Sequence, residues 1–425
     1  MARSVARSRT CPHIAPMQPD PNLSSHDAIA EWLVLQGIYG TSQEDLLEGY
    51  CTRILQAGLP VQRVHVAQRA YHPEYGGFGY SWQRDAGMDR DSYEHTDAPL
   101  DVWLASPLYY LLSVDEADLR ISLEEDDPPA RFPFLSELKD RGCTDYFAAK
   151  VSFVQPRNSL ATNPDDPAEG LMMSWTSDSE GGFSDENLAT LRRLLPYLGL
   201  ALKSASNRQM ASDIVQTYLG ADAGERVLSG DIVRGSSETI HAVIWYFDLR
   251  GFTKLSERIA GHAVIDMLND YFGEVVGLVE GHGGNVLKFM GDGLLAIFDC
   301  SKDAGAVDNA LEAAIQVGER MAAVSARRAT DGLTITDYSL SLHLGDVLYG
   351  NIGGKARLDF TVIGAAVNQT ARIQGMCGLL DRNFIMSAQV ARQVTGRKAQ
   401  VVSLGPYMLR GVEGPQELFT LYLGS

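Results

Sequence analysis

Two stretches decide the reading of this chain: Val243–Thr253, VIWYFDLRGFT, and Lys288–Phe298, KFMGDGLLAIF. In the first, an apolar, β-rich run ends on Asp248, passes Gly251-Phe252-Thr253 and turns into a helical pattern. In the second, Asp292-Gly293 sits between two apolar runs, a strong short-range hairpin signal. A strand laid beside that hairpin brings Asp248 and Asp292 to one sheet edge. Two carboxylates beside a turn of free backbone N–H groups suit divalent cations carrying a polyphosphate. Each aspartate alone also fits a structural role, Asp248 as a helix cap and Asp292 as a turn residue. The residues around them decide between the two.

Downstream, the pattern alternates strand and helix. A helix is expected over Ala263–Glu280, with Val264, Leu268, Phe272, Val275 and Val279 inward, and another over Val307–Arg327. Tyr338–Leu344 sets Leu340, Leu342 and Leu344 between polar residues, as a half-buried strand does. A strand over Asp359–Ile363 leads into a helix over Asn368–Gln374, and strands near Val401 and Leu418 close the chain. The expected architecture is α+β with a mixed sheet, close to a ferredoxin-like plan.

Upstream, residues 1–25 are rich in Pro, Ser and Arg and read as a disordered tail. Arg3, Arg7 and Arg9 stand there without an apolar segment, which is not a signal-peptide pattern. Residues 26–205 read as a mixed α and β domain. Helices are expected over Ala28–Gly37 and Glu44–Ala57, and strands near Val61–Ala67, Leu119–Leu123, Tyr146–Val154 and Leu171–Thr176. The long polar stretch from Tyr71 to Pro99 takes no assignment. Ser184-Asp185-Glu186 opens a helix whose Leu188, Leu191, Leu195, Leu198 and Leu202 share a face, with Pro196 a possible bend. Trp82, Trp103, Tyr109, Tyr110, Phe132 and Phe134 serve either a packed core or a ligand pocket. Glu124-Glu125-Asp126-Asp127 reads as a solvated loop. Residues 206–238 are expected to link the halves, with Met210, Ile214, Val215 and Tyr218 along one side of a helix and Gly220, Gly224, Gly230 and Gly235 after it.

At 425 residues, 45% apolar and 21% charged, the chain has the balance of a globular protein of two or three domains. From Thr239 onward it holds 16 basic and 19 acidic residues, so most of the net charge of -18 precedes that point. That acidity argues against a general nucleic-acid binder. No apolar run is long enough to span a bilayer. Cys11, Cys51, Cys143, Cys300 and Cys377 form no CxxC pair and read as free thiols of a cytoplasmic protein.

Residues 239–425 resemble the catalytic domain of class III adenylate and guanylate cyclases. The resemblance rests on FDLRGFT, LKFMGDGLLAIF, HLGDVLYGNIGG, LDFTVIGAAVNQTARI and MLRGVEGP, in the family's order and spacing. It implies that Asp248 and Asp292 hold two divalent cations, Mg²⁺ or Mn²⁺, and that Gly251, Phe252 and Thr253 offer backbone N–H groups to phosphates. It implies that Asn368 orients the ribose and Arg372 neutralises charge at the α-phosphate; four apart, they share a helix face. Lys288 with Thr361 resembles the bacterial ATP-using variant of the base-selecting pair, where guanylate cyclases carry Glu and Cys. Arg410 stands where the family has Lys, toward the terminal phosphates. The implied protein is a homodimeric adenylate cyclase with composite active sites; a guanylate cyclase and a silent nucleotide-binding module are the alternatives. The preceding half, through GGFSDENLATLRRLLPYLGLALKSA, resembles a GAF-type sensory domain of α/β build, whose ligand the sequence does not name.

Overall fold

The computed structural model describes residues 25–70, 72–96, 100–114, 116–124, 132–153, 170–394 and 400–422. Residues 1–24 of the expected tail, with Cys11, and Glu125-Asp126-Asp127 of the acidic stretch lie outside them, as does Val154. The chain divides into two compact units at Ile214/Val215.

The first unit begins with α1 (Ser25–Tyr39) and α2 (Gln43–Gln56). Strands β1 (Arg63–Arg69), β2 (Tyr75–Gln83) and β3 (Gly87–Glu94) follow, then α3 (Asp101–Leu104), α4 (Pro107–Ser113), β4 (Asp118–Ser122), α5 (Pro133–Asp140), β5 (Asp145–Ser152) and β6 (Gly170–Ser177). The six strands form one antiparallel sheet in the order β3-β2-β1-β6-β5-β4. Its two faces are separated by the two-residue period of a strand. Val64, Val66, Tyr80, Met173 and Trp175 pack under α1, α2 and the following helix, while Ala67, Tyr146, Ala148 and Met172 face α4 and α5. Of the six aromatics, Trp82 belongs to the first of these cores and the other five to the second or its margin.

The unassigned stretch contains the hairpin of β2 and β3. Its sequence signal is weak for physical reasons. β2 is broken by Gly76, Gly77 and Gly79, and β3 is a charged, exposed edge, so neither alternates. A Cβ on Gly79 would stand 2.8 Å from the Tyr93 hydroxyl, so glycine lets β3 fold its tyrosine across the sheet.

Helix α6 (Asp185–Leu219) opens on a reciprocal cap: the Asn187 N–H donates to Ser184 Oγ, and the Ser184 N–H to Asn187 Oδ1. It runs 35 residues as one helix through the boundary expected at 205/206, with Pro196 on its exposed side. The glycine-rich link beyond it is not open chain: α7 (Ala221–Leu228) buries Ala223 in the second unit's core.

The second unit continues with β7 (Ser237–Leu249), α8 (Phe252–Ser256), α9 (Gly261–Gly281), β8 (Asn285–Met290), β9 (Gly293–Asp299), α10 (Ala306–Thr330), β10 (Tyr338–Gly353), β11 (Leu358–Ile363) and α11 (Ala365–Leu379). β12 (Phe384–Ser387), α12 (Ala388–Ala391), β13 (Gln400–Met408) and β14 (Pro415–Tyr422) complete it. The sheet order is β13-β14-β12-β10-β7-β9-β8, with β11 on β10. β12 runs parallel to β10 and the other pairs are antiparallel, so the sheet is mixed as expected. The segment β10-β7-β9-β8 with α9 and α10 is the ferredoxin-like nucleus.

The half-buried reading of Tyr338–Leu344 needs correction. Leu340, Leu342 and Leu344 face α9 and α10, but Ser339, Ser341 and His343 are buried too. Helix α11 covers that second face, and Ser341 Oγ donates to the Thr370 carbonyl on it at 3.0 Å. Serine on a covered strand face satisfies a helix carbonyl while looking solvent-exposed in sequence. The hairpin turn also shifts by one residue. Met290 pairs with Gly293, so the loop is Gly291-Asp292, with Gly291 at φ 68° in the first central position. Gly293 is freed to lie in the strand.

Phe247 is fully buried, stacked between Trp245 (6.2 Å) and Tyr338 (5.8 Å). Phe247→Ala is expected to cost the second unit about 3–5 kcal/mol, read from the shift of its denaturant midpoint at unchanged m-value.

Candidate active site

Antiparallel register places Asp248 on β7 opposite Gly293 on β9, and the Leu249 N–H donates to the Asp292 carbonyl at 3.0 Å. The two aspartates therefore meet at one sheet edge. The missing side chain at Gly293 matters, because a Cβ there would lie 3.1 Å from Asp248 Oδ1. Burial first, and the Asp292 charge second, push the Asp248 carboxyl up to about 6, against a hydrogen bond from Gln374. Tyr246, two residues back on the same strand, is pushed up by burial and by both carboxylates. Neither aspartate acts as the cap of α8, whose N-cap is Gly251 at φ 69°.

Past Asp248, the chain makes a tight turn. The Arg250 side chain donates to the carbonyls of Cys377 and Arg382, and its N–H to that of Asp337. α8 then starts at Phe252, and the first-turn N–H groups of a helix have no acceptor within it. Gly251 and Thr253 are exposed and Phe252 half-buried.

Helix α11 divides its residues between two sides. Ala366, Thr370, Ile373 and Cys377 are buried. Gln374 borders that face and donates from Nε2 to Asp248 Oδ2 (3.1 Å) and to Ser339 Oγ (2.7 Å), Ser339 being Asp248's cross-strand partner. At 100° per residue, Asn368 and Arg372 fall on the opposite side, Asn368 exposed and Arg372 half-buried. The Arg372 guanidinium lies by Gly411, 3.8 Å from where a Cβ would stand, next to the exposed Arg410. Within one chain the carboxylates and the Asn368–Arg372 pair are thus not brought together.

Lys288 and Thr361 do come near one another. Lys288 Nζ pairs with Asp359 Oδ2 at 3.2 Å, and Asp359 is two residues from Thr361 on one face of β11. Thr361 is buried, with its Oγ1 unpartnered. Gln374, Ser339 and Asp359 escaped the sequence reading, since nothing in local spacing marks a residue that reaches a distant strand.

Among the described residues no cluster of three or more His, Cys, Asp or Glu side chains gathers. The donor set is a carboxylate pair. That suits Mg²⁺ or Mn²⁺, which bind through one or two carboxylates and complete their shell with water and substrate phosphates. A divalent cation also relieves the repulsion that raises Asp248.

The raised carboxyl sets a pH dependence. Against an ordinary value of ~3.9, the folded chain binds more protons than the unfolded one between about pH 4 and 6, so this group lowers stability as pH rises through that window. In chelator at pH 7.5, Asp248→Asn is expected to melt above the parent, and the gap should close as pH falls to about 4. A gap independent of pH would rule out carboxylate repulsion as its cause.

Residues 236–423 match the family described as the adenylate and guanylate cyclase catalytic domain. The chain is 29% identical over 192 residues to an adenylate cyclase of Anabaena cylindrica, covering 44% of this chain and 37% of that protein. It is 26% identical over 178 residues to adenylate cyclase 1 of Rhizobium meliloti (strain 1021), covering 42% and 26%. The chain therefore spans well under half the length of these curated relatives. Among solved structures it is similar to the adenylyl cyclase CyaB from P. aeruginosa, with TM-score 0.41, 22% identity and coverage of 45% and 97%. It is also similar to the guanylyl cyclase Cya2, with TM-score 0.40, 26% identity and coverage of 44% and 93%.

Proposed function

Residues 236–423 form an adenylate and guanylate cyclase catalytic domain, and from that premise we propose that this chain is an adenylate cyclase converting ATP to 3′,5′-cyclic AMP and pyrophosphate. The observation that carries the reading is the meeting of Asp248 and Asp292 beside the free N–H turn of Gly251, Phe252 and Thr253. Two divalent cations held by the aspartates would acidify the ribose 3′-hydroxyl and balance the triphosphate charge. The chain's own residues do the rest. The turn's N–H groups hold phosphate oxygens at the start of α8. Asn368 orients the ribose, and the Arg372 guanidinium meets the charge that grows on the α-phosphate during in-line attack. Arg410, beside Arg372, reaches the terminal phosphates.

Lys288 and Thr361 read the purine edge. The unpartnered hydroxyl of Thr361 is a hydrogen-bonding group waiting for a ligand, and Asp359 steers the Lys288 ammonium toward it. The named relatives in Anabaena cylindrica and Rhizobium meliloti are adenylate cyclases, which supports ATP.

The opposed sides of α11 support a homodimer whose sites combine the carboxylates of one chain with Asn368 and Arg372 of the other. Elements that carry site residues also expose apolar side chains: Phe289 beside Lys288 (54%), Met408 (69%) and Leu379 (78%). A second copy would cover them. The first unit, continuous with the second through α6, would act as the regulatory sensor. Among the described residues no helix is long and apolar enough to cross a membrane, which accords with a cytoplasmic enzyme.

The shared-site arrangement makes a quantitative prediction. Asp292→Ala and Arg372→Ala should each lower turnover more than ~100-fold, since the first removes a metal ligand and the second the cation that meets charge growing on the α-phosphate. Co-expressed, the two variants put both lesions in one site of a mixed dimer and leave the other intact. With random pairing, about a quarter of parent activity should return; verified mixed dimers without activity would sink the model.

Substrate choice is tested separately. Cyclic-nucleotide formation should proceed with ATP far faster than with GTP under Mg²⁺ or Mn²⁺, and Lys288→Glu with Thr361→Cys should narrow that ratio at least ~10-fold. Comparable parent rates would make the enzyme a guanylate cyclase or unselective, and no product from either would make it a silent nucleotide-binding module.

A further inference from the structure

In the first unit, the sheet face turned toward α4 and α5 changes character from one edge to the other. Over β4 and β5 it is apolar, closed by Leu108, Leu111, Leu135 and Leu138. Over β1 and β2 it is polar. Arg63 and His65 of β1 share that face with Ser81 of β2 and Thr176 of β6, through the pairs His65↔Ser81 and Arg63↔Thr176.

Arg63 carries the argument. It is half-buried, its guanidinium donates to Ser81 Oγ at 3.1 Å, and it lies over the Phe134 ring at 5.4 Å. Among the described residues no carboxylate pairs with it. Burial lowers its pKa; the groups that bear on it are Tyr146, Cys143 and Tyr93, which act the other way, and a second cation, Arg141. Guanidinium does not shed its proton in proteins, so the charge stays. Two other arginines drawn into the fold have counter-ions: Arg120 pairs with Asp145 at 2.8 Å, and Arg328 with Asp270. His65 supplies none. Burial, with help from Arg63, pushes it down to about 3, leaving a neutral ring bonded to Ser81 Oγ at 2.9 Å.

Aromatic rings flank the guanidinium. Gly79 makes room for the Tyr93 ring to lie across the sheet, its hydroxyl 2.8 Å and His65 Cε1 3.2 Å from where a Cβ would stand. Tyr93 thus stands on one flank of the polar patch and Phe134 on the other. Thr176 is fully buried on the same face, its hydroxyl by the Cys143 thiol.

We propose that this polar half-face binds a small organic anion, a carboxylate or a phosphate ester, seated on the Arg63 guanidinium between Tyr93 and Phe134. A two-oxygen anion matches the planar fork of guanidinium and supplies the missing counter-charge. Arg141 adds a second positive field. The ring faces accept the ligand's carbon skeleton, and the Ser81 hydroxyl stands beside the guanidinium. The inference concerns the first unit alone and does not rest on the cyclase reading.

The test is binding to the full chain in a buffer free of carboxylate and phosphate, with chloride holding ionic strength constant. Benzoate, 2-oxoglutarate and glycerol phosphate are titrated by calorimetry and in thermal melts. At least one should bind saturably and raise the melting midpoint by about 5 °C at about hundredfold excess over its dissociation constant. Benzoate or 2-oxoglutarate binding alone points to a carboxylate ligand, and glycerol phosphate binding alone to a phosphate ester. Arg63→Met should abolish the effect and leave the ligand-free midpoint no lower than the parent's, because it removes a poorly paired cation. Arg63→Lys, the variant to rely on if Arg63→Met does not fold, should weaken binding at least ~10-fold. Arg372→Ala should leave it unchanged, and loss of binding in that variant would place the anion in the second unit and overturn the proposal. Failure of all three probes to bind the parent, or binding that survives both changes at Arg63, overturns the proposal.

Discussion

Cross-strand register between β7 and β9 is the constraint on which the second unit depends. Because Asp248 stands opposite Gly293, its carboxylate lies where the Gly291-Asp292 loop delivers a second one. A slip of one residue would turn Asp248 into the core and bring Phe247 to the edge. Register is held against that slip by the stack of Trp245, Phe247 and Tyr338 under α9 and α10. The apolar core thus holds two like charges side by side, and the raised Asp248 carboxyl records its burial first and the Asp292 charge second. A fold that holds such a pair is preorganised for cations.

Helix α11 distributes the remaining chemistry. One side packs on β10 and sends Gln374 to Asp248, tying the helix rotation to the carboxylate edge. The other side presents Asn368 and Arg372 outward, beside the Arg410 loop. The same rotation that fixes Gln374 therefore turns Arg372 away from its own chain's aspartates. That helix geometry, with the exposed apolar residues on the same elements, is what supports the proposed homodimer.

The first unit shows the converse situation, an arginine brought into a sheet face without an acid to meet it. Arg120, a few strands away, demonstrates what the fold does with a structural arginine: it receives Asp145 and the Phe183 carbonyl. Arg63 receives a serine hydroxyl and a ring. The difference between them separates a side chain that completes the protein from one that awaits a small molecule.

Much of this was legible in the sequence, because it is local. Apolar periodicity marked α9, α10, β7 and β9, and the spacing of four between Asn368 and Arg372 put them on one helix face whatever surrounds it. The two aspartates were visible because each ends an apolar run at a turn. What depends on residues far apart in the chain was not visible. Ser339, Ser341 and His343 look like a solvent face until α11 covers them, and the Gly-rich β2 and charged β3 show no alternation until they pair. The turn moved to Gly291-Asp292 because Gly293 is needed in the strand against Asp248. Gln374 and Arg63 acquire their meaning only from partners that are present on another element, or missing from it. Sequence by itself determined the strongly periodic strands and helices, such as β7, β9, α9 and α10, and which residues carry charge. Tertiary structure alone decided which charges meet and which stand alone, because packing sets those distances.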